Sequence, residues 1–162
     1  MMPYRLGLTG SIGMGKSTTA KMFAERNIPV WDADAAVHRL YEAGGEAVAP
    51  LSKVFPHAIG DGAVDRSVLK EEIAKDPSAL KELERIVHPL VAADRETFAS
   101  TTKSDIVVFD IPLLFERNSE ELMDATLLVT APAEIQRARV LARPGMTEEQ
   151  FNILLARQMP DA

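Results

Sequence analysis

The chain has 162 residues, of which 46% are apolar and 26% are charged, and it carries a formal net charge of −6 at pH 7. These values are typical of a globular protein with one domain and a proper core. The negative charge argues against general nucleic-acid binding, which depends on Lys and Arg side chains that neutralise phosphates. The chain contains no cysteine, which excludes disulfides and thiolate metal sites and is typical of a reducing compartment.

The ends and apolar segments of the chain give no sign of export or membrane insertion. The first residues do not resemble a signal peptide, and no apolar run approaches the roughly 18 residues of a membrane-spanning helix. We therefore expect a cytoplasmic protein without a membrane partner. Any anionic ligand must be held by a local concentration of positive charge.

The first predicted strand, Tyr4 to Thr9, is apolar almost throughout, as expected of a parallel strand that is covered on both faces. It leads into a G-x-x-x-x-G-K-[ST] segment, Gly10 to Ser17, and then into a helical pattern, which together predict a phosphate cradle. Glycines let the backbone amides point inward, Lys16 reaches the outer phosphates, and the Ser17 hydroxyl can ligate Mg²⁺. The alternative is a glycine turn with a surface lysine. The residues expected at the phosphates are Ser11, Ile12, Gly13, Met14, Gly15, Lys16, Ser17 and Thr18.

A second short apolar run, Ile28 to Trp31, ends in Asp32-Ala33-Asp34. Ligands of open α/β sheets bind beyond the carboxyl ends of the strands, so these acids and the glycine loop should face the same crevice. On an extended chain end the two aspartates would point the same way. Such an acid can hold Mg²⁺ or accept the proton of an attacking hydroxyl. Alternatively, Asp34 caps a helix that begins near Ala35.

The segment from about residue 35 to 104 shows no convincing strand, only helical patterns separated by glycine and proline. It predicts a helical insert that lies over the sheet. His88 falls within one of these patterns, directly before Pro89. It is a candidate substrate contact, although a lone histidine is more often a structural hydrogen-bonder, and no metal-ligand spacing links the three histidines of the chain.

Two further strands are predicted, over Ile106 to Asp110 and over Ala125 to Thr130. Asp110 ends the first of them, where proteins with this kind of loop place a second acid near the metal. The alternative is that Asp110 initiates a turn at the strand end. Helical patterns follow over about 132–142 and 148–158, so the chain is predicted to be an α/β domain with a parallel sheet.

The final helix has the most secure start, because Thr147 and Gln150 stand in the capping-box relation. Before it lies the richest arginine group of the chain, in which Arg139 and Arg143 share a helix face if the helix persists. Arginines at a mobile lid, about residues 137–147, can offset the charge of a phosphoryl group in transfer. Alternatively, this is a solvated helix surface on which Glu134 pairs with Arg137.

Taken together, these segments resemble the dephospho-CoA kinase family, which catalyses the last step of coenzyme A synthesis. The matching segments are Leu8–Thr18, Asp32–Asp34, Ile86–Val91, Pro112–Glu116, Gln136–Arg139, Arg143 and Arg157–Gln158. A phosphate-binding loop alone marks thousands of unrelated proteins. The Asp-x-Asp, His-Pro and Pro-Leu-Leu segments make the resemblance far more selective, and it runs from one end of the chain to the other.

The resemblance implies one P-loop kinase domain over residues 1–162, with the three-layer fold of nucleoside monophosphate kinases and an acceptor-binding insert. It implies small-molecule substrates, with ATP as donor, the ribose 3′-hydroxyl of dephospho-CoA as acceptor and Mg²⁺ as cofactor. Lys16 and the loop amides would hold the phosphates, Asp34 would orient the hydroxyl and accept its proton, and the lid would supply Arg139 and Arg143. The implied substrate contacts are Asp32, Asp34, His88, Pro112 and Leu113, and the implied metal ligands are Ser17, Asp32 and Asp110.

The chain departs from the family pattern at its end and in its loop. Members of the family usually continue past the Arg-Gln segment with another strand, so we expect a shortened chain that lacks this strand and has reduced or no activity. Ser11 and Met14 also stand where the family usually has small residues, often Gly and Ser. A nucleoside monophosphate kinase and a non-catalytic nucleotide-binding module remain as alternatives.

Overall fold

The computed structural model describes residues 1–159, and the chain divides into two compact units. One unit combines Met1–Asp32 with the chain from Thr102 onward, and the other is Ala33–Thr101. In chain order the elements are β1 (Tyr4–Thr9), α1 (Lys16–Glu25), β2 (Val30–Asp32), α2 (Ala33–Tyr41), α3 (Val48–Val54), a 3₁₀ turn (Pro56–Ala58), β3 (Ile59–Gly60), β4 (Ala63–Val64), α4 (Arg66–Lys75), α5 (Ala79–Thr101), β5 (Ile106–Asp110), a second 3₁₀ turn (Ser119–Leu122), β6 (Ala125–Leu128), α6 (Ala133–Leu141) and α7 (Glu148–Ala156).

The first unit is built on a four-stranded sheet with the strand order β2-β5-β1-β6, in which every pair of neighbours is parallel. The side chains of Leu8, Val107, Val108 and Phe109 in β1 and β5 are fully buried. Buried, near-continuous apolar strands are what a parallel sheet requires, because it is covered on both faces. Trp31 packs edge to face on Phe109, with ring centroids 5.9 Å apart, and joins the short strand β2 to β5. The predicted α/β class is confirmed.

The predicted strands and helices of this unit are confirmed to within two residues at each boundary. β1 and β5 have the predicted bounds, whereas β6 ends at Leu128 and α7 at Ala156. The capping box of α7 is present: the Thr147 hydroxyl accepts from the Gln150 amide, and the Gln150 side chain accepts from the Thr147 amide, both at 3.2 Å. A local sequence signal therefore determines where this helix begins.

The second unit has its own apolar cluster, formed mainly by side chains of α2, α3, α4 and α5. Leu51 is completely buried in it, and Leu40, Phe55, Leu69 and Val87 are nearly so. Asp65 caps the start of α4, because its carboxylate accepts from the amides of Ser67 and Val68 at 2.9 and 3.1 Å. The predicted helical character of this segment follows from these amphipathic helices, the longest of which continues through Pro89.

The expectation that residues 35–104 contain no strand is wrong. β3 and β4 form a short antiparallel hairpin in which Gly60 pairs with Ala63. Asp61 and Gly62 form its turn with φ of 52° and 77°, the positive values that a two-residue hairpin turn requires and that Asp-Gly readily adopts. Two-residue strands are too short to show alternation, so only the Asp-Gly pair indicated the hairpin.

Candidate active site

The carboxyl ends of three adjacent strands carry the glycine loop and two carboxylates. The loop follows β1, Asp32 ends β2 and Asp110 ends β5. Asp32 and Asp110 are direct register partners, and Leu8 of β1 pairs with Asp110 on its other side. Because the strands are parallel, these ends share one edge of the sheet, which is where open α/β sheets bind ligands.

Lys16, the lysine predicted to bind phosphate, forms an ion pair with a carboxylate. Lys16 Nζ donates to Asp110 Oδ1 in a close ion pair, and the exposed fractions of the two side chains are 20% and 7%. A carboxylate this deeply buried is costly without a cation beside it, so Lys16 stabilises Asp110. An incoming phosphate must therefore share Lys16 with Asp110 or replace Asp110 as its partner.

The start of α1 supplies backbone donors at the same place. The first hydrogen bond of this helix joins the Thr19 amide to the Gly15 carbonyl at 3.1 Å. The amides of Lys16, Ser17 and Thr18 therefore lie in the turn where a helix has no carbonyl partners of its own. Gly15 adopts φ 102°, which brings the loop into the helix. These amides and the helix dipole favour an anion at this position.

The first half of the loop is held from within the protein. The Ile12 amide donates to Gln158 Oε1 at 2.8 Å, and Gln136 Nε2 donates to the Ile12 carbonyl at 2.7 Å. The Met14 amide donates to the Ser11 carbonyl at 3.2 Å, and the Met14 side chain is buried. The amides of Ile12 and Met14 therefore already have acceptors within the protein. In the sequence, the two glutamines are indicated only by the family resemblance, because no sequence pattern predicts which backbone group a glutamine binds.

Gly13 lies so close to α6 that a side chain does not fit. Its φ is 74°, and an added Cβ would lie 2.5 Å from Val140 Cγ2. Gly145 has the same φ of 74° but nothing within 4 Å of an added Cβ. We expect Gly13→Ala to cost about 1–3 kcal/mol more unfolding free energy than Gly145→Ala, because only Gly13 adds a clash to the backbone strain. Urea denaturation of both variants measures this difference, and equal losses would show that the loop moves away from α6 without cost.

Of the two arginines predicted to lie in a lid, Arg139 contacts the loop, donating from Nη1 to the Gly13 carbonyl at 3.4 Å. Arg143 would share a helix face with Arg139 if the helix persisted, but α6 ends at Leu141. Arg143 precedes Pro144, and the residue before a proline disfavours the helical conformation. Arg143 is exposed in the connection between α6 and α7.

The remaining arginine of α6 is structural in this arrangement. Arg137 pairs with Glu148 at 2.6 Å, and not with Glu134 as the surface alternative supposed. Glu148 is the first residue of α7. The ion pair therefore connects α6 to α7 across the segment predicted to be the lid.

The turn after β5 is strained. Leu113 adopts φ 55°. Glycine, asparagine and aspartate adopt such positive values most readily, and they are unusual for a bulky residue such as leucine. Pro112 and Leu113 are half-buried and Leu114 is fully buried, so the packing of the next residue holds the turn in place. Strain of this kind clusters at functional sites, and this turn begins two residues after Asp110.

Two predicted site residues belong to the second unit. The expectation that Asp34 lies beside Asp32 on an extended chain end is wrong, because α2 begins at Ala33 and Asp34 lies in its first turn. Alanine has a high helix propensity, so α2 can begin at Ala33, directly after the end of β2. The helix dipole favours an acid in the first turn. His88 lies on α5 and is exposed.

The predicted metal ligands offer oxygen atoms only. Within residues 1–159 no group of three or more His, Cys, Asp or Glu side chains is arranged to hold a metal by itself. Mg²⁺ does not need such a group, because it binds through one or two carboxylates together with substrate phosphates and water. Ser17 at the start of α1 and the register partners Asp32 and Asp110 fit that requirement.

Comparison with known families and curated proteins gives a consistent result. The family model described as dephospho-CoA kinase matches residues 4–162. A protein of Cereibacter sphaeroides named dephospho-CoA kinase is 63% identical over 99% of this chain and 82% of its own length. A protein of Ruegeria pomeroyi with the same name is 61% identical over 99% of this chain and 81% of its own length.

Solved structures share the fold. A crystal structure of a Thermus thermophilus protein superposes with a TM-score of 0.87 at 38% identity, covering 99% of this chain and 82% of that one. The structure of dephospho-CoA kinase from Campylobacter jejuni superposes with a TM-score of 0.67 at 23% identity, covering 97% of this chain and 81% of that one. The second likeness supports the fold alone.

Proposed function

We infer that this chain, which belongs to the dephospho-CoA kinase family, phosphorylates the ribose 3′-hydroxyl of dephospho-CoA to give coenzyme A. It is an ATP-dependent kinase and therefore a transferase. The observation that supports the nucleotide site best is the placement of Lys16 against Asp110 at the start of α1, at the carboxyl edge of the sheet. A cation beside helix-terminal amides is a combination that binds triphosphates, and this supports the proposal.

We propose that the outer phosphates of ATP bind Lys16 and the amides of Lys16, Ser17 and Thr18. Lys16 then turns from Asp110 towards the phosphates, and this releases a carboxylate at the edge of the sheet. Ser17, Asp32 and Asp110 would hold Mg²⁺, which when bound offsets the charge of the phosphates. Because Gly15 has no side chain, the backbone there can approach the phosphates closely.

Asp34 orients the acceptor hydroxyl and takes its proton in the proposed mechanism. The hydroxyl oxygen forms a bond to the terminal phosphorus, the bond from that phosphorus to the bridging oxygen breaks, and ADP leaves. Arg139, which already contacts the loop, and Arg143 offset charge on the group in transfer. We propose that the insert, with His88, and the turn at Pro112 and Leu113 contact the acceptor.

The acceptor assignment is tested by following ADP release from ATP and Mg²⁺ with the purified chain. Dephospho-CoA, AMP, CMP and adenosine are compared as acceptors at matched concentrations. We expect dephospho-CoA to stimulate ADP release about 100-fold more than the monophosphates in kcat/KM, because binding contacts to the rest of the acceptor are used in the transition state. Stimulation by AMP or CMP without stimulation by dephospho-CoA would overturn the assignment.

Other features of the protein bear on where it works and with what. None of the described helices has the length and the apolar composition to cross a membrane. A cytoplasmic location, Mg²⁺ as the activating ion and the lack of a nucleic-acid partner remain predictions from composition and family resemblance. The substrates are small molecules, as in the rest of the family.

A further inference from the structure

One residue of the phosphate loop, Ile12, is held through both of its backbone polar groups by glutamine side chains. Gln158 accepts the Ile12 N–H at 2.8 Å, and Gln136 donates to the Ile12 carbonyl at 2.7 Å. Gln136 is 4% exposed, on α6, and Gln158 lies two residues beyond the end of α7. The N–H belongs to the peptide between Ser11 and Ile12, and the carbonyl belongs to the peptide between Ile12 and Gly13. The two bonds therefore orient the two consecutive peptides on either side of the Ile12 Cα.

The peptide that follows these two, between Gly13 and Met14, is also held against α6. The Gly13 carbonyl accepts from Arg139, and the Gly13 Cα packs against Val140. The ion pair between Arg137 and Glu148 connects α6, which carries Gln136, to α7, which Gln158 follows in the chain. The first half of the loop is therefore fastened to this helix pair, while the second half opens α1 and has its amides at the phosphate position.

We propose that Gln136 and Gln158 are positioning residues for nucleotide binding, which hold the backbone at Ile12 and so keep the loop in its phosphate-binding conformation before ATP arrives. This inference rests on the proposed role of the loop in binding ATP. Glycine-rich segments lose much conformational freedom when they are ordered. A loop ordered in advance by a buried and a half-buried side chain binds its ligand without that loss.

The two glutamines have opposite polarity towards Ile12, and this allows a matched test. Gln136→Glu replaces the donor by a carboxylate that faces the Ile12 carbonyl oxygen. Gln158→Glu adds the same charge at the same residue of the loop but keeps an oxygen that accepts the Ile12 N–H. The difference between the two variants therefore isolates the lost hydrogen bond from the added charge. Gln158→Leu removes the acceptor without adding charge, at a half-buried position where folding is least at risk.

The variants are compared by the Kd for ADP from calorimetry, the KM for ATP and for dephospho-CoA, and thermal unfolding. We expect Gln136→Glu and Gln158→Leu to raise the Kd for ADP and the KM for ATP about 10-fold, the effect of one lost buried hydrogen bond. The Kd for ADP and the KM for ATP of Gln158→Glu should lie closer to the native values than those of Gln136→Glu do. The KM for dephospho-CoA should stay unchanged in all of them. Gln150→Glu is the control, because it preserves the capping box of α7 and does not touch the loop.

Two results would overturn the positioning role. One is an unchanged Kd for ADP in Gln158→Leu, and the other is a lower melting temperature with equal changes in all kinetic constants, which marks a purely structural role. Lys16→Ala, measured in the same way, separates this inference from the proposed function. If ADP binding survives Lys16→Ala, the loop is not the nucleotide site. If Lys16→Ala loses ADP binding while the glutamine variants bind ADP normally, the loop is the nucleotide site and only the inference about positioning fails.

Discussion

Lys16→Met is expected to lower kcat/KM for ATP about 100-fold or more, because the variant loses the cation that offsets charge on the phosphates. The same change should also destabilise the fold, since the buried carboxylate of Asp110 loses its partner. Breaking a buried ion pair by removing one member costs about 3–5 kcal/mol; the partial exposure of Lys16 places the expected loss near the lower figure. Steady-state kinetics and urea denaturation on the same preparation measure the two effects.

A second substitution separates the two effects of Lys16. In the double variant Lys16→Met, Asp110→Asn the buried charge is removed as well, so most of the lost unfolding free energy should return while turnover stays low. Lys21→Met, on the exposed face of the same helix, is the matched control and should alter stability by less than about 0.5 kcal/mol. Recovery of turnover in the double variant would contradict the phosphate-binding role of Lys16. Failure to recover stability would contradict the structural role of the ion pair.

Local signals in the sequence were sufficient to predict many of the strand and helix bounds of the first unit. The apolar runs of β1 and β5 predicted their bounds, because a parallel strand buried on both faces needs an unbroken apolar segment. The Thr147 and Gln150 pair predicted the start of α7, because a capping box acts within four residues. The glycine loop was recognisable for the same reason, since its spacing and its flanking strand and helix are all local.

What the sequence left unpredicted depends on contacts between distant residues or on competing local preferences. Gln136 and Gln158 reach Ile12 across 124 and 146 residues of chain, and no periodicity specifies such a bond. The pairing of Lys16 with Asp110 likewise needs the order of the strands in the sheet. Whether the helix persists to Arg143 depends on competing local preferences, because the helical pattern favours it while Pro144 disfavours the helical conformation at Arg143, and α6 ends at Leu141.

Asp34→Asn is expected to lower kcat about 100-fold or more while leaving the Kd for ADP within about twofold of the native value. An amide has nearly the same shape as the carboxylate but cannot take the proton of the acceptor hydroxyl. Asp34 lies in the first turn of α2, where the helix dipole favours a negative charge, so a small loss of stability accompanies the change. The measurements are turnover with dephospho-CoA at saturating ATP and calorimetry with ADP.

Asp32→Asn is the comparison that assigns the two neighbouring acids. Asp32 ends β2 and pairs in register with Asp110, which suits a metal ligand, whereas Asp34 follows it on α2. The Asp32 variant should therefore need about 10-fold more Mg²⁺ for its half-maximal rate and recover much of its kcat when Mg²⁺ is raised. Added Mg²⁺ should not rescue Asp34→Asn, because the missing function there is a proton acceptor. Near-normal turnover in Asp34→Asn, together with a collapse in Asp32→Asn at all Mg²⁺ concentrations, would move the catalytic base from α2 to the end of β2.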